Sequence, residues 1–165
     1  GMMGVGKSTI GEMLSKKLGL EFVDVDKIIE KKEKNTINDI FKNKGEKYFR
    51  KIEKKITLEI LKKNNQVIAL GGGAFTNDAI RKEVKNSSVS FWLDTSLKYL
   101  LSRLRNVKKR PLLNANNLEL TINRIYLERK KIYNQAHFKI KCNSISKKEI
   151  VNKISTLYEN SGNKI

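Results

Sequence analysis

The sequence predicts a single α/β domain of three layers, in which helices cover both faces of a parallel sheet. Apolar residues alternate between helical and extended spacing along all 165 residues, which is typical of strands that alternate with helices. No internal repeat or linker rich in Gly, Ser and Pro divides the chain, and its length suits one compact core. We therefore expect residues 1–165 to form one domain.

The first predicted elements are a helix and the strand that follows it. Ile10, Met13, Leu14 and Leu18 recur at helical spacing, and Gly19 is a suitable C-cap. Residues 21–26 are then predicted as a strand. We predict further helices over residues 36–44, 46–63, 77–85, 96–104, 118–133 and 147–158, and further strands over residues 67–70, 89–93 and 138–141.

Composition argues against several classes of protein. No apolar run approaches the roughly 18 residues that a membrane-spanning helix needs. The single Cys142 has no Cys or His partners at metal-ligand spacing, which is typical of a protein in a reducing cytoplasm. The formal net charge of +18 suits nucleic-acid binding, but the basic residues are spread along the chain and only 7% of residues are aromatic. We interpret the charge as solvated lysine, and expect no nucleic-acid or membrane partner.

Residues 1–8, with the sequence GMMGVGKS, match the spacing of a Walker A phosphate loop and lead directly into the first helix. The glycines let backbone N–H groups turn toward phosphate oxygens, and the helix N-terminus adds positive potential. Lys7 is placed to reach the β- and γ-phosphates of ATP, and the Ser8 hydroxyl is a ligand for Mg²⁺. An ordinary glycine turn before a helix is the alternative explanation.

This loop opens the sequence, although a phosphate loop is positioned by a buried strand that precedes it. We therefore expect that the first strand of the sheet is missing from this chain. The backbone groups of its neighbours would lose their partners, so the chain as given is expected not to be fully active.

Two carboxylates lie close together at the end of the first predicted strand. Asp24 and Asp26 are two residues apart, so their side chains would share one face of the strand. Mg²⁺ held by Ser8 and Asp24 would leave Asp26 to accept a proton from a substrate hydroxyl. The alternative is that Asp26 caps a helix that begins at Lys27.

Two further segments have the residue types of a binding site. Arg50 and Glu53 lie three residues apart on one helix face, which suits either a fixed carboxylate clamp or a solvated ion pair. Gly71, Gly72 and Gly73 follow an apolar strand, and the close approach of a ligand explains three glycines there better than strand structure does.

The second half of the chain contributes two candidate arginines. Arg110 lies in a polar connection, at about residues 106–117, that is typical of a mobile lid. Arg129 lies in the next helix, four residues before Tyr133. Taken singly, each arginine is also explained as a surface charge, and His137 is given no role.

Taken in order, these segments resemble the shikimate kinase family. The matching motifs are GMMGVGKST, VDVD, GEKYFRKIE, LGGGA, RPLL and ERKKIY, and they span about residues 1–138. The resemblance implies a P-loop fold of the nucleoside-monophosphate-kinase type, with a parallel sheet of order 2-3-1-4-5, a helical substrate-binding region at about residues 27–63 and a lid. It also implies transfer of the γ-phosphoryl group of ATP to the 3-hydroxyl of shikimate, with Mg²⁺ as cofactor.

The resemblance also implies roles for individual residues. The ATP-binding residues would be Gly4, Val5, Gly6, Lys7, Ser8, Thr9, Arg103 and Arg110. The shikimate-binding residues would be Asp26, Phe41, Phe49, Arg50, Glu53, Gly71, Gly72, Gly73 and Arg129. Asp26, Lys7 and Arg110 would be catalytic, and Ser8 and Asp24 would hold Mg²⁺.

Three alternatives stay open at this point. A gluconate kinase shares the P-loop scaffold, although the VDVD and FRKIE segments argue against it. A catalytically silent binding module of the shikimate kinase type would keep the fold without the chemistry, and a basic nucleic-acid-binding protein is the third alternative. We expect a cytoplasmic monomer that acts on shikimate.

Overall fold

The computed structural model describes residues 1–104 and 117–161. The α-helices are α1 (Lys7–Leu18), α2 (Val25–Glu33), α3 (Ile37–Leu61), α4 (Asp78–Ser87), α5 (Leu97–Leu104), α6 (Leu118–Tyr133) and α7 (Lys147–Asn160). The strands are β1 (Glu21–Asp24), β2 (Gln66–Ala69), β3 (Phe91–Asp94) and β4 (Phe138–Lys141), and a 3₁₀ turn covers Ala74–Thr76. Strands and helices therefore alternate, which confirms the predicted α/β class.

The strands form two parallel pairs. β1 pairs with β2 in a register that sets Val23 opposite Ile68, and β3 pairs with β4 in a register that sets Leu93 opposite Ile140. In the order 2-3-1-4-5, strand 1 is the one expected before the phosphate loop, so β1 to β4 correspond to strands 2 to 5. The observed pairs β1–β2 and β3–β4 are then the outer pairs 2-3 and 4-5 of that order. Within the described residues no strand joins the two pairs, and residues of β2, β3 and α1 line a cavity of about 410 Å³.

The first helix packs closely on the first strand. A Cβ on Gly11 would lie 2.6 Å from the Phe22 ring, so the absence of a side chain lets α1 approach β1. The helix is followed by Gly19, which has φ 66° and ψ 27° and donates its N–H to the Ser15 carbonyl. The predicted glycine C-cap is confirmed.

Two predicted strand boundaries are wrong. β1 ends at Asp24 rather than at residue 26. Helix α2, which was predicted only as an alternative that begins at Lys27, follows at once from Val25. Val25 and Ile29 are both fully buried, and their spacing of one helical turn outweighs the preference of a Val-rich segment for extended structure. β3 begins at Phe91 rather than at residue 89.

The long helix α3 is bent at Gly45. The backbone angles there are φ 79° and ψ 167°, which are not helical. The predicted division into helices over residues 36–44 and 46–63 therefore corresponds to a kink within one element.

Two hydrophobic cores hold these elements together. The larger core lies among α1 and α4–α7 and includes Trp92, Leu100 and Ile122. The smaller core contains Val23, Ile29, Ile40, Phe49 and Ile56, and it fixes α2 and α3 against β1. In the described part of the chain, no helix combines the length and apolar character needed to span a membrane.

Candidate active site

The predicted phosphate loop lies at the N-terminus of α1. Gly4 and Gly6 have φ angles of 78° and 99°, which favour glycine, and Gly6 is the N-cap of the helix. The backbone N–H groups of the first helical turn therefore face the end of the loop. The Lys7 ammonium donates to the carbonyl oxygens of Gly1 and Met2, at 3.0 Å and 2.9 Å.

A cavity of about 260 Å³ brings most of the predicted ATP-binding residues together with two of the predicted substrate-binding residues, Asp26 and Gly72. Its lining combines the phosphate loop with the end of β1, the start of α2, the glycine segment and α5. The residues of these elements in the lining are Gly4, Gly6, Lys7, Ser8, Thr9, Asp24, Asp26, Gly72, Arg103 and Leu104. Residues far apart in sequence thus share one cavity, because the carboxyl ends of β1 and β2 lie beside the loop.

The two aspartates differ in position from the prediction. Asp24 is the N-cap of α2, and its carboxylate accepts from the N–H of Lys27 at 3.3 Å. Asp26 lies in the first turn of that helix, so it is not the cap and the two residues do not share a strand face. Both side chains nevertheless line the same cavity.

The Arg50 guanidinium lies between two carboxylates of its own helix. Its NH1 donates to Glu53 Oε2 at 2.7 Å, which confirms the predicted pair. Its Nε and NH2 donate to Glu46 Oε1 at 3.2 Å and 3.1 Å. The contact of Glu46 was not predicted, although its spacing of four residues from Arg50 is a recognised signal for a helical ion pair.

Glu53 is a buried carboxylate at the centre of this cluster. Its side chain is 3% exposed, and its Oε1 has no hydrogen-bond partner among the described residues. Burial raises the pKa of Glu53, Arg50 opposes that shift, and the nearby Asp26 carboxylate adds to it. Glu53 therefore holds Arg50 in place at a cost in desolvation.

The three glycines are explained by close packing rather than by positive φ. A Cβ on Gly71 would lie 2.6 Å from Glu53 Oε1 and 2.7 Å from Asp26 Oδ1. A Cβ on Gly73 would lie 2.5 Å from NH1 of Arg50. These glycines let two carboxylates and a guanidinium converge on the backbone after β2, so the predicted close approach is made by side chains of the site.

Helix α6 contributes two donors to this glycine segment. Arg129 NH1 donates to the carbonyl of Gly72 at 2.9 Å, and the hydroxyl of Tyr133 donates to the same oxygen. The sequence analysis noted the spacing of Arg129 and Tyr133 but assigned no role to the tyrosine. No signal in the sequence alone shows that the two residues share one acceptor.

The remaining predicted residues lie around this cluster. The rings of Phe41 and Phe49 are 4.7 Å apart in α3, and Phe49 is buried. Arg103 lies over the phosphate loop, since its NH1 would be 3.4 Å from a Cβ on Gly6. Arg110 and all but the last residue of the predicted lid lie outside the described residues.

Comparison with known proteins agrees with this arrangement. The family model described as shikimate kinase matches residues 3–159. The chain belongs to the shikimate kinase family. It is 42% identical to the shikimate kinase of Persephonella marina over 154 residues, which cover 93% of each chain. It is 41% identical to that of Sulfurihydrogenibium sp. over 156 residues, or 94% of this chain and 93% of the relative.

Solved structures of shikimate kinases have the same fold. The shikimate kinase from Acinetobacter baumannii, solved in complex with shikimate, superimposes with a TM-score of 0.94 at 34% identity and covers 99% of this chain and 92% of its own. That from Aquifex aeolicus has a TM-score of 0.85 at 36% identity, with 98% and 94% coverage. The α/β P-loop fold is therefore confirmed, and the chain is a kinase that transfers phosphate from ATP to shikimate.

Proposed function

We propose that this kinase transfers the γ-phosphoryl group of ATP to the 3-hydroxyl of shikimate, with Asp26 as the group that receives the hydroxyl proton. The observation that carries this assignment is the shared cavity, whose lining includes both the phosphate loop and Asp26. A carboxylate beside the phosphoryl donor suits general-base chemistry at an alcohol acceptor. The same cavity explains why two motifs separated in sequence belong to one reaction.

The phosphate loop supplies the ATP side of the proposed site. Backbone N–H groups from Gly4 to Thr9 and the positive end of α1 favour phosphate oxygens. Lys7 and Arg103 add positive charge to the cavity, where negative charge accumulates during transfer. Arg110 is proposed to join them from the lid.

The arginines of α3 and α6 supply the shikimate side. Arg50 and Arg129 are proposed to bind the substrate carboxylate, because a planar guanidinium can make paired hydrogen bonds to a carboxylate. Glu53 supports Arg50. Gly71, Gly72 and Gly73, which let Asp26 and Arg50 approach the backbone, are proposed to lie beside the bound substrate. Phe41 and Phe49 are proposed to contact the apolar faces of the ring.

Ser8 and Asp24 fit the needs of a magnesium ion. Both present oxygen atoms to the cavity, and Mg²⁺ is commonly held by one or two protein oxygens together with phosphate oxygens and water. When bound, the ion would neutralise charge on the phosphates. Among the described residues, no group of three acidic, His or Cys side chains is arranged to hold a metal ion.

We also propose that the enzyme is a cytoplasmic monomer. The residues proposed for both substrates come from one chain, and Cys142 is a free thiol, which suits a reducing compartment. Sedimentation equilibrium over a range of concentrations tests the monomer.

A coupled assay of ADP release tests the proposed reaction. The full-length protein is given ATP and Mg²⁺ with either shikimate or gluconate. We expect turnover with shikimate only, and NMR of the product should place the phosphate on the 3-hydroxyl. Turnover of gluconate without shikimate, or phosphate on another hydroxyl, would contradict the assignment.

A further inference from the structure

The carbonyl oxygen of Gly72 receives two donors from one face of α6. Arg129 NH1 approaches it at 2.9 Å, and the hydroxyl of Tyr133 is the second donor. Residues four apart lie above one another on a helix, so both side chains can reach the same atom.

Tyr133 is more deeply buried than Arg129. It is 1% exposed, and its ring packs at 6.0 Å from the ring of Trp92. Its hydroxyl also lies 4.0 Å from the sulfur of Met2. Burial raises the pKa of Tyr133, with Arg129 acting in the opposite direction, so the hydroxyl stays protonated and remains a donor at neutral pH.

Gly72 itself lies between α6 and the phosphate loop. A Cβ on Gly72 would be 3.2 Å from the backbone nitrogen of Met3, so this peptide has little space to move. Because a peptide unit is planar, fixing the Gly72 carbonyl also fixes the direction of the Gly73 N–H. Gly73 in turn packs against Arg50.

We propose that Tyr133 is a positioning residue for shikimate binding, which rests on the proposed function above. Its hydroxyl holds the Gly72 carbonyl, and that carbonyl holds the Arg129 guanidinium. When a substrate carboxylate draws Arg129 toward itself, Tyr133 keeps the glycine segment in place and leaves the remaining guanidinium donors of Arg129 aimed at the substrate. Tyr133 acts through Gly72 and Arg129, and Arg129 is proposed to bind only shikimate, so the effect on shikimate should exceed the effect on ATP.

Tyr133→Phe in the full-length enzyme tests this proposal, because the ring is retained and only the hydroxyl is removed. We expect the KM and the dissociation constant for shikimate to rise by about tenfold, which corresponds to one lost buried hydrogen bond. We expect kcat to change less than twofold, and the KM for ATP to change much less than the KM for shikimate. The melting temperature is measured beside the kinetics.

Tyr126→Phe is the matched control. Tyr126 lies on the same helix, and its hydroxyl donates to Asp94 at 3.2 Å without contact to the glycine segment. It loses a hydroxyl of the same kind, so we expect the KM for shikimate to stay near the wild-type value. Equal effects of the two variants on both substrates would mean that the hydroxyl only stabilises α6 and would overturn the proposal.

The dissociation constant of the wild-type enzyme for shikimate, measured by calorimetric titration, separates this proposal from the proposed function. If the wild type binds and phosphorylates shikimate and Tyr133→Phe does so with an unchanged KM, only the role of Tyr133 is wrong. If the wild type neither binds nor phosphorylates shikimate, the proposed function fails and the proposal fails with it.

Discussion

Asp26 is the residue whose removal separates chemistry from binding. Its carboxylate lines the cavity with the phosphate loop, and Asn keeps its shape while losing the ability to accept a proton. We expect Asp26→Asn to lower kcat by about 10²- to 10⁴-fold, in the range of general-base effects, with ATP affinity nearly unchanged. Single-turnover kinetics and a nucleotide titration measure the two quantities. A near-normal kcat, or a loss matched by the exposed control Asp78→Asn, would refute the role.

Glu53 makes stability depend on pH in a direction unusual for an acid. The pKa of Glu53 in the folded state is raised above 4.5, chiefly by burial. Between the unfolded and folded pKa values the folded state binds the extra proton, so wild-type stability falls as pH rises through that window. Arg50 and Arg129 oppose the shift and Asp26 adds to it.

Glu53→Gln removes this titration. We therefore expect the difference in melting temperature, variant minus wild type, to increase as the pH rises from 4 through the raised folded pKa, measured by calorimetry. The KM for shikimate should increase at neutral pH, because Arg50 loses its buried partner. A temperature difference that stays constant or decreases with pH would contradict the raised pKa.

Single residues were predictable where the chemistry restricts the choice to one or two types. The phosphate loop has few solutions, so spacing alone predicted that Lys7 and Ser8 begin the first helix, and the structure places them there. Tyr133 was not found, because its role depends on sharing an acceptor that lies far away in sequence. The ion pairs of Arg50 were predicted only in part. Glu53 was named as its partner, but Glu46, one turn earlier on the same helix, also accepts from Arg50.

The shape of helix α3 depends on a single glycine. Gly45 has φ 79° and ψ 167°, a combination that side chains of L-residues disfavour. An added Cβ would meet nothing within 4 Å, so its cost would be backbone strain rather than collision. We expect Gly45→Ala to lower the free energy of unfolding by about 1–3 kcal/mol and to raise the KM for shikimate, because Arg50 follows the kink.

Gly19→Ala is a matched control for this change. Gly19 also has open space around an added Cβ, but its φ of 66° and ψ of 27° lie in the milder left-handed helical region. We expect a loss of about 1 kcal/mol with unchanged shikimate kinetics. Urea denaturation measures the loss in free energy of unfolding for both variants. A smaller loss for Gly45→Ala than for Gly19→Ala would contradict the expected backbone strain at the kink.

Helix α2 was predicted only as an alternative to a longer strand. The signals for it were present, because Asp24 is a suitable N-cap and Val25 and Ile29 are one turn apart. The alternating pattern of VDVD also fits a strand, and the predicted strand was therefore extended over Val25 and Asp26, which begin the helix. Burial of Val25 against α3 decides between the two, and burial is a tertiary property that local sequence does not contain.

For the whole molecule, the pairing of strands followed from the family resemblance rather than from periodicity. Apolar alternation predicts that strands are parallel and covered by helices, but it does not say which strands are neighbours. The pairs β1–β2 and β3–β4 agree with the order that the resemblance implies. How the two pairs are joined stays a prediction, because the described residues form no strand between them.

The net charge of +18 is a property of the whole molecule and leads to the last prediction. The sequence contains 35 basic and 17 acidic side chains, so the compact state brings together more like charges than it can pair. Salt shortens the range of this repulsion, since the Debye length is about 30 Å at 0.01 M and about 10 Å at 0.1 M. We therefore expect the melting temperature to rise between 10 and 200 mM NaCl by roughly 2–4 °C, equivalent to about 1 kcal/mol in a protein of this size.

KCl is the control, and it should give the same rise because screening depends on ionic strength. A flat or falling curve would show that repulsion among the lysines does not limit stability. Addition of duplex DNA at each salt concentration completes the test, because a basic nucleic-acid surface would add a stabilisation that is lost steeply as salt increases, whereas scattered lysines should add little.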